Sequence, residues 1–222
     1  MAFLSSFKST VFLWVFVMWA CGNTEKSSKN IEVDNTGNIA LEEKKPIIVG
    51  ANRTEEYLGL IKGKKVGVVA NQTSVIFKNN EGYTHLIDSL LSLDIAIEKV
   101  FAPEHGFRGQ ADAGEHITDG HDTKTGLPLI SLYGKNRKPT NEMLQGLDIV
   151  VFDIQDVGVR FYTYIATLQL VMESCAANKI PVLVLDRPNP NGHYVDGPTM
   201  EKEHTGFLGM TTIPLVYGMT IG

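Results

Sequence analysis

Four clusters of polar side chains follow apolar runs in this 222-residue chain: Asn71-Gln72-Thr73-Ser74, Pro103-Glu104-His105-Gly106-Phe107-Arg108-Gly109, Asp153-Ile154-Gln155-Asp156-Val157-Gly158-Val159-Arg160 and Asp186-Arg187-Pro188-Asn189. Together they supply carboxylates, amides, guanidiniums and an imidazole. Glycoside hydrolysis needs that kind of set: two carboxyl groups flank the bond, and one holds a proton for the departing oxygen. Glu104 is the candidate acid. It lies between Pro103 and His105-Gly106-Phe107, just past an apolar run, where partial burial is expected. Asp153, Asp156, Glu115 and Asp186 are candidate partners. Asp153 directly ends an apolar run, so it could equally hold a neighbouring loop by hydrogen bonds.

Arg108, Arg160 and Arg187 could each grip a ligand carboxylate through two parallel hydrogen bonds. Arg160 and Arg187 could as well be ion-paired with Asp156 or Asp186. Asn71, His105, Gln155 and Asp186 add hydrogen-bonding groups for a polar ligand. Phe161, Tyr162 and Tyr164 could stack on a sugar face, although at helical spacing some of them belong in a core.

Other chemistries lack their signatures. No G-x-G-x-x-G follows the first apolar run, residues 59–65 hold no phosphate-binding P-loop, and no G-x-S-x-G occurs. Glu104, His105, His116, Asp119, His121 and Asp122 could ligate a metal, but their spacing matches no strong zinc pattern. They read as a polar loop, and neither a metal nor a cofactor is expected. A net charge of −5 without a basic block argues against nucleic acid as a partner.

The elements that must position these clusters alternate in type. Residues 65–70, 95–102, 129–133, 148–153, 181–186 and 213–217 read as strands. Segments 55–61, 84–93, 140–145 and 161–178 read as helices, and 103–128 as a long loop. Near-continuous apolar strands separated by helices imply a mostly parallel sheet covered on both faces. The fold expected for 47–222 is therefore a Rossmann-like three-layer α/β domain. In such sheets ligands bind at the carboxyl ends of the strands, where the polar clusters fall. Nothing near Gly222 reads as a finished domain end, so a chain cut short is expected.

The first 20 residues carry one charge, Lys8, followed by an apolar run over 11–20 and then Cys21-Gly22. That run is too short for a bilayer span and has the size of a signal-peptide core. A small residue followed by cysteine resembles a bacterial lipobox, although Met18 and Trp19 are bulkier than usual. The expectation is a signal over 1–20, lipidation at Cys21, a flexible tether over 21–46, and export to the cell envelope (periplasmic or outer-membrane associated). Cys175, the one other cysteine, reads as a buried helical residue.

The motifs beginning at Phe101, Asp153 and Asp186, with Phe161-Tyr162-Thr163-Tyr164 closing the second, resemble the exo-β-N-acetylmuramidase family of glycoside hydrolases, formerly a domain of unknown function. The likeness runs from about residue 47 to the end. It implies a Rossmann-like N-terminal domain and a smaller C-terminal α/β domain largely missing from this chain. It also implies release of non-reducing-end N-acetylmuramic acid from peptidoglycan fragments without a nucleotide cofactor. The glutamate of the family's Pro-Glu-His-Gly motif falls on Glu104. Asp156, and behind it Asp153, is the expected second catalytic group. The lactyl carboxylate of that sugar would give Arg108 or Arg160 a role. Two alternatives stand beside this: a non-catalytic lipoprotein that binds muropeptides, and a metal-dependent hydrolase using the histidine-rich loop.

Overall fold

The computed structural model describes residues 31–33, 39–41, 46–78, 82–109 and 119–222. The signal over 1–20, Cys21, Glu115 and His116 lie outside the described residues. The chain divides into two units, Met1–Pro46 and Ile47–Gly222. In the first, where a tether is expected, β1 (Ile31–Val33) pairs antiparallel with β2 (Ile39–Leu41).

The second unit is built on a six-stranded sheet. Its strands are β3 (Val66–Ala70), β6 (Ile97–Ala102), β7 (Gly120–His121), β8 (Pro128–Ser131), β9 (Ile149–Asp153) and β10 (Val182–Val184), in the spatial order β10-β9-β3-β6-β8-β7. Every pairing is parallel except that of β7 on β8. The central strands β3 and β9 are buried throughout, because both faces of the sheet are covered. Successive side chains of a strand point to opposite faces, so each strand feeds two cores. Val66, Val68, Ala70, Ile149 and Val151 pack with α1 (Thr54–Ile61) and α2 (Leu86–Ser92). Val69, Val150 and Phe152 pack with α3 (Asn141–Leu144) and α4 (Tyr164–Ala177). This is the three-layer α/β architecture expected. Cys175 lies in the second core, and burial pushes its thiol up to about 11.

Three elements differ from expectation. The helix expected over 84–93 starts at Leu86; Thr84 and His85 belong to a hairpin of β4 (Val75–Lys78) and β5 (Gly82–His85). His85 then caps α2, its Nδ1 accepting the Ile87 N–H at 3.3 Å. The loop expected over 103–128 contains β7. The strand expected over 213–217 is irregular: Val216 alone makes antiparallel bridges, to Val159 and Asp196. Pro214 has no N–H to continue a ladder.

Gly50 marks where the start of this unit meets the end of β10. Its N–H donates to the Asp186 carbonyl at 2.7 Å. A Cβ there would lie 2.7 to 2.9 Å from backbone atoms of Leu185 and Asp186, which no rotamer change can relieve. Gly50→Ala is expected to lower the unfolding free energy by about 1–3 kcal/mol in urea titrations.

Candidate active site

The carboxyl ends of the parallel strands form one rim, and its side chains are built inward from a buried brace. Asp153, at the end of β9, is fully buried and accepts two hydrogen bonds from Arg187, Nε to Oδ1 at 2.7 Å and a terminal nitrogen to Oδ2 at 3.0 Å. The same terminal nitrogen donates to the Val75 carbonyl at 2.8 Å. Ser74 Oγ donates to the Asp153 carbonyl in a short hydrogen bond. Burial pushes the Asp153 carboxyl up to about 6, with Arg187 pulling it down, so the pair is charged at neutral pH. Neither residue is free to act on a ligand. This corrects two expectations: Asp153 is a brace rather than a reacting acid, and Arg187 is committed to Asp153 rather than to a ligand or to Asp186.

Glu104 sits at the mouth of this rim. Beyond β6 the chain turns sharply, with the Gly106 N–H donating to the Pro103 carbonyl at 3.1 Å and His105 held at φ 70°. The turn leaves Glu104 and His105 half-exposed. Thr163 Oγ1 donates to Glu104 Oε2 at 3.3 Å. Thr163 is the N-cap residue of α4, yet its hydroxyl makes no cap and serves Glu104 instead. The Tyr133 phenol, just past β8, has its pKa raised chiefly by the Glu104 carboxylate. Tyr164 lies behind them. Burial raises its pKa, and so does the Tyr162 ring, packed edge-on at 4.9 Å; the Asn71 amide pulls the other way. Asn71 is itself buried, with Oδ1 accepting from Thr73 N at 2.8 Å and Nδ2 unpartnered.

Asp156 lies deeper. Its Oδ2 accepts from Gly158 N at 2.7 Å and, in a short bond, from the Tyr217 hydroxyl; Oδ1 is buried without a partner. Burial raises its pKa, while the bonds from Tyr217 and the loop N–H groups lower it. Gln155 Nε2 binds the Asp156 and Pro188 carbonyls at 2.7 and 2.8 Å. Asp186 accepts the Gly222 N–H at 3.1 Å and lines a cavity of about 750 Å³ beside β10 that does not include Glu104. No hydrogen bond or ion pair among the described residues joins Glu104 to Asp153 or Asp156.

The other two arginines also depart from expectation. Arg108 is bound to both oxygens of Asp122, each at 2.7 Å, and to Asp88 at 3.1 Å. That pairing holds the Asp122 carboxyl well below the usual carboxylate range. Arg160 is buried and donates to the carbonyls of Pro198 (3.0 Å) and Ile213, with no carboxylate partner among the described residues. Neither Asp156 nor Asp186 pairs with an arginine. Arg160 is closed off within the fold, whereas Arg108, though paired, stays partly exposed and lines a cavity of about 440 Å³ with Gln72, His85 and Lys124. Among the loop residues weighed as metal ligands, Asp122 is taken by Arg108, and Asp119 accepts the Ser131 N–H at 2.8 Å. The group of potential ligands that does gather among the described residues, Glu201, Glu203 and His204, is fully exposed.

A family described as "Exo-beta-N-acetylmuramidase NamZ, N-terminal" matches residues 66–222. The chain belongs to this family. It is 48% identical over 169 residues to the peptidoglycan beta-N-acetylmuramidase NamZ of Bacillus subtilis (strain 168), a match spanning 75% of this chain and 40% of that relative. Two solved DUF1343 family proteins from Bacteroides fragilis NCTC 9343 share its fold. One is 40% identical with a TM-score of 0.68, covering 80% of this chain and 45% of its own. The other is 39% identical with a TM-score of 0.69, covering 79% and 44%. The chain thus spans less than half the length of these NamZ and DUF1343 relatives.

Within this NamZ-family domain, Glu104, His105, Asn71 and Tyr162 fall in one neighbourhood. The sequence reading missed Tyr133, and it missed the role of Thr163. Residues 129–133 read as a parallel strand, and its carboxyl end belonged with the other four polar clusters, so Tyr133 was within reach. Thr163 was not, because it resembles an ordinary helix cap.

The Asp153–Arg187 brace carries a test. The folded-state value of Asp153 lies above its ordinary 3.8, so protonation favours the folded chain. That contribution is full below about pH 4 and lost as pH rises to about 6. Asp153→Asn, a neutral stand-in for the protonated acid, is expected to remove this decline. Denaturant unfolding across pH 4 to pH 7 reads the effect.

Proposed function

We propose that this chain supplies the acid side of a glycoside hydrolase that releases N-acetylmuramic acid from the non-reducing end of peptidoglycan fragments. The observation that carries this reading is the setting of Glu104. One carboxylate oxygen is aimed by the Thr163 hydroxyl at 3.3 Å, the group stands at a parallel-strand end, and it remains half-exposed. A general acid needs such a setting: fixed in direction, and open toward the bond it cleaves. Membership of the NamZ family and the name of its Bacillus subtilis relative support the substrate class.

In this mechanism Glu104 gives its proton to the glycosidic oxygen as the bond to the anomeric carbon breaks. Thr163 keeps the carboxyl pointed at that oxygen. Asp153 being held by Arg187, Asp156 stands as the second carboxyl, with Oδ1 unsatisfied. Tyr162 and the exposed Phe161 offer flat apolar faces to a sugar ring. The apolar run before Cys21 supports an exported, lipid-anchored protein of the cell envelope, which places the activity beside its polymer.

Glu104→Gln keeps the shape and hydrogen-bonding reach of the side chain and removes its proton. It is expected to lower turnover of a chromogenic β-N-acetylmuramide by about 100-fold or more, with an unchanged circular dichroism spectrum. Near-normal turnover in the variant would remove Glu104 from the mechanism. Tight binding without any product from the unsubstituted protein would favour a muropeptide-binding lipoprotein instead.

A further inference from the structure

The cavity beside Arg108 includes none of the groups gathered at Glu104, and its chemistry is of another kind. It measures about 440 Å³ and is lined by Gln72, Tyr83, Thr84, Asp88, Arg108 and Lys124, together with the His85 ring. Its cations are already neutralised. Asp88 accepts from Lys124 Nζ at 2.6 Å on one oxygen and from Arg108 at 3.1 Å on the other, and Asp122 takes two further Arg108 N–H groups. Arg108 is also seated over the Phe107 ring, 4.7 Å from its centre. Both ring nitrogens of His85 are engaged, by the Asn71 carbonyl at 2.9 Å and the Ile87 N–H at 3.3 Å. The Arg108 Nη1 group, the Gln72 amide and the Tyr83 and Thr84 hydroxyls make no hydrogen bond among the described residues. They remain for a ligand.

An exposed aromatic surface adjoins this cavity. Phe77 and Tyr83 are directly paired across the β4–β5 hairpin, so their side chains share one face, and they are 54% and 67% exposed. The hairpin is pinned from outside. The Asn52 side chain donates to the Phe77 carbonyl at 2.7 Å and accepts the Phe77 N–H at 3.0 Å. Aromatic rings beside fixed hydrogen-bonding groups, with no cation to spare, suit a ligand that has flat C–H faces, many hydroxyls and no charge.

We propose that the hairpin face and this cavity form an accessory binding site for a neutral β-linked oligosaccharide, which the protein holds there and does not cut. The neutral-saccharide class rests on the lining alone. The use of an N-acetylated chain as one ligand below rests on the hydrolase reading.

Isothermal calorimetry on the full-length protein tests this with tri-N-acetylchitotriose, cellotriose and the acidic trigalacturonate. The N-acetylated trisaccharide is expected to bind. Tyr83→Ala should weaken that binding by about 10-fold and Gln72→Ala by about 2- to 10-fold, with unchanged unfolding midpoints. Tyr83→Phe, which keeps the ring, should retain most of the affinity. Tyr194→Ala removes an exposed aromatic ring outside the cavity and should retain all of it. Binding of cellotriose alone upholds the site and removes the N-acetylated chain as its ligand. Absent binding of both neutral trisaccharides, tighter binding of trigalacturonate, or full affinity in both Tyr83→Ala and Gln72→Ala overturns the proposal. So does an equal loss in Tyr194→Ala. Should the protein bind a neutral trisaccharide in this way yet cleave no chromogenic β-N-acetylmuramide, the hydrolase reading fails and the accessory site stands.

Discussion

Asp153 and Arg187 are both withdrawn from water, and neither could remain charged there alone. Their pairing joins three separate pieces of chain: the end of β9, the loop after β10, and, through the Val75 carbonyl, the hairpin that follows β3. Ser74 adds a fourth tie to the Asp153 backbone. Parallel strands are joined by long crossovers and have no tight turns to align their carboxyl ends. A buried ion pair with fixed, two-pronged geometry does that alignment here. The rest of the rim, including Asn71 just after β3 and the Gln155–Asp156 loop after β9, takes its place from it.

The sheet was legible in the sequence for a simple physical reason. Strands covered on both faces are near-continuously apolar, as in Val66–Ala70 and Ile149–Phe152, with 95–102 broken only by Glu98 and Lys99; the structure places β3, β9 and β6 there. The hairpin of β4 and β5 was not legible. It is a two-stranded pair with half-exposed faces, and its pattern merges into the apolar spacing of α2. The tail at 213–217 misled because it is apolar like a strand, while its one bridging residue meets loops rather than a neighbouring strand.

The polar site divides along a different line. Residue type and position at strand ends pointed to Glu104, because a motif is local. Partner choice was hidden, because it is settled by tertiary distance. Arg187 prefers Asp153, 34 positions away, to the adjacent Asp186, and Arg108 takes Asp122 across a long loop. The strongest arginine candidates in sequence were those the fold had most use for. A buried guanidinium must satisfy its donors within the protein, as Arg160 partly does on two carbonyls.

The last ten residues act as a fastener for this half of the rim. Leu215 accepts the Arg160 N–H, Ile213 accepts its guanidinium, Tyr217 donates to Asp156, and Met219 receives Asn189 at 2.9 Å. A polypeptide ended before Ile213 would strand a buried carboxyl and a buried guanidinium at once, each stripped of hydrogen-bond partners. Stop positions, affinity tags and fusion joints therefore belong outside the segment from Ile213 to Met219.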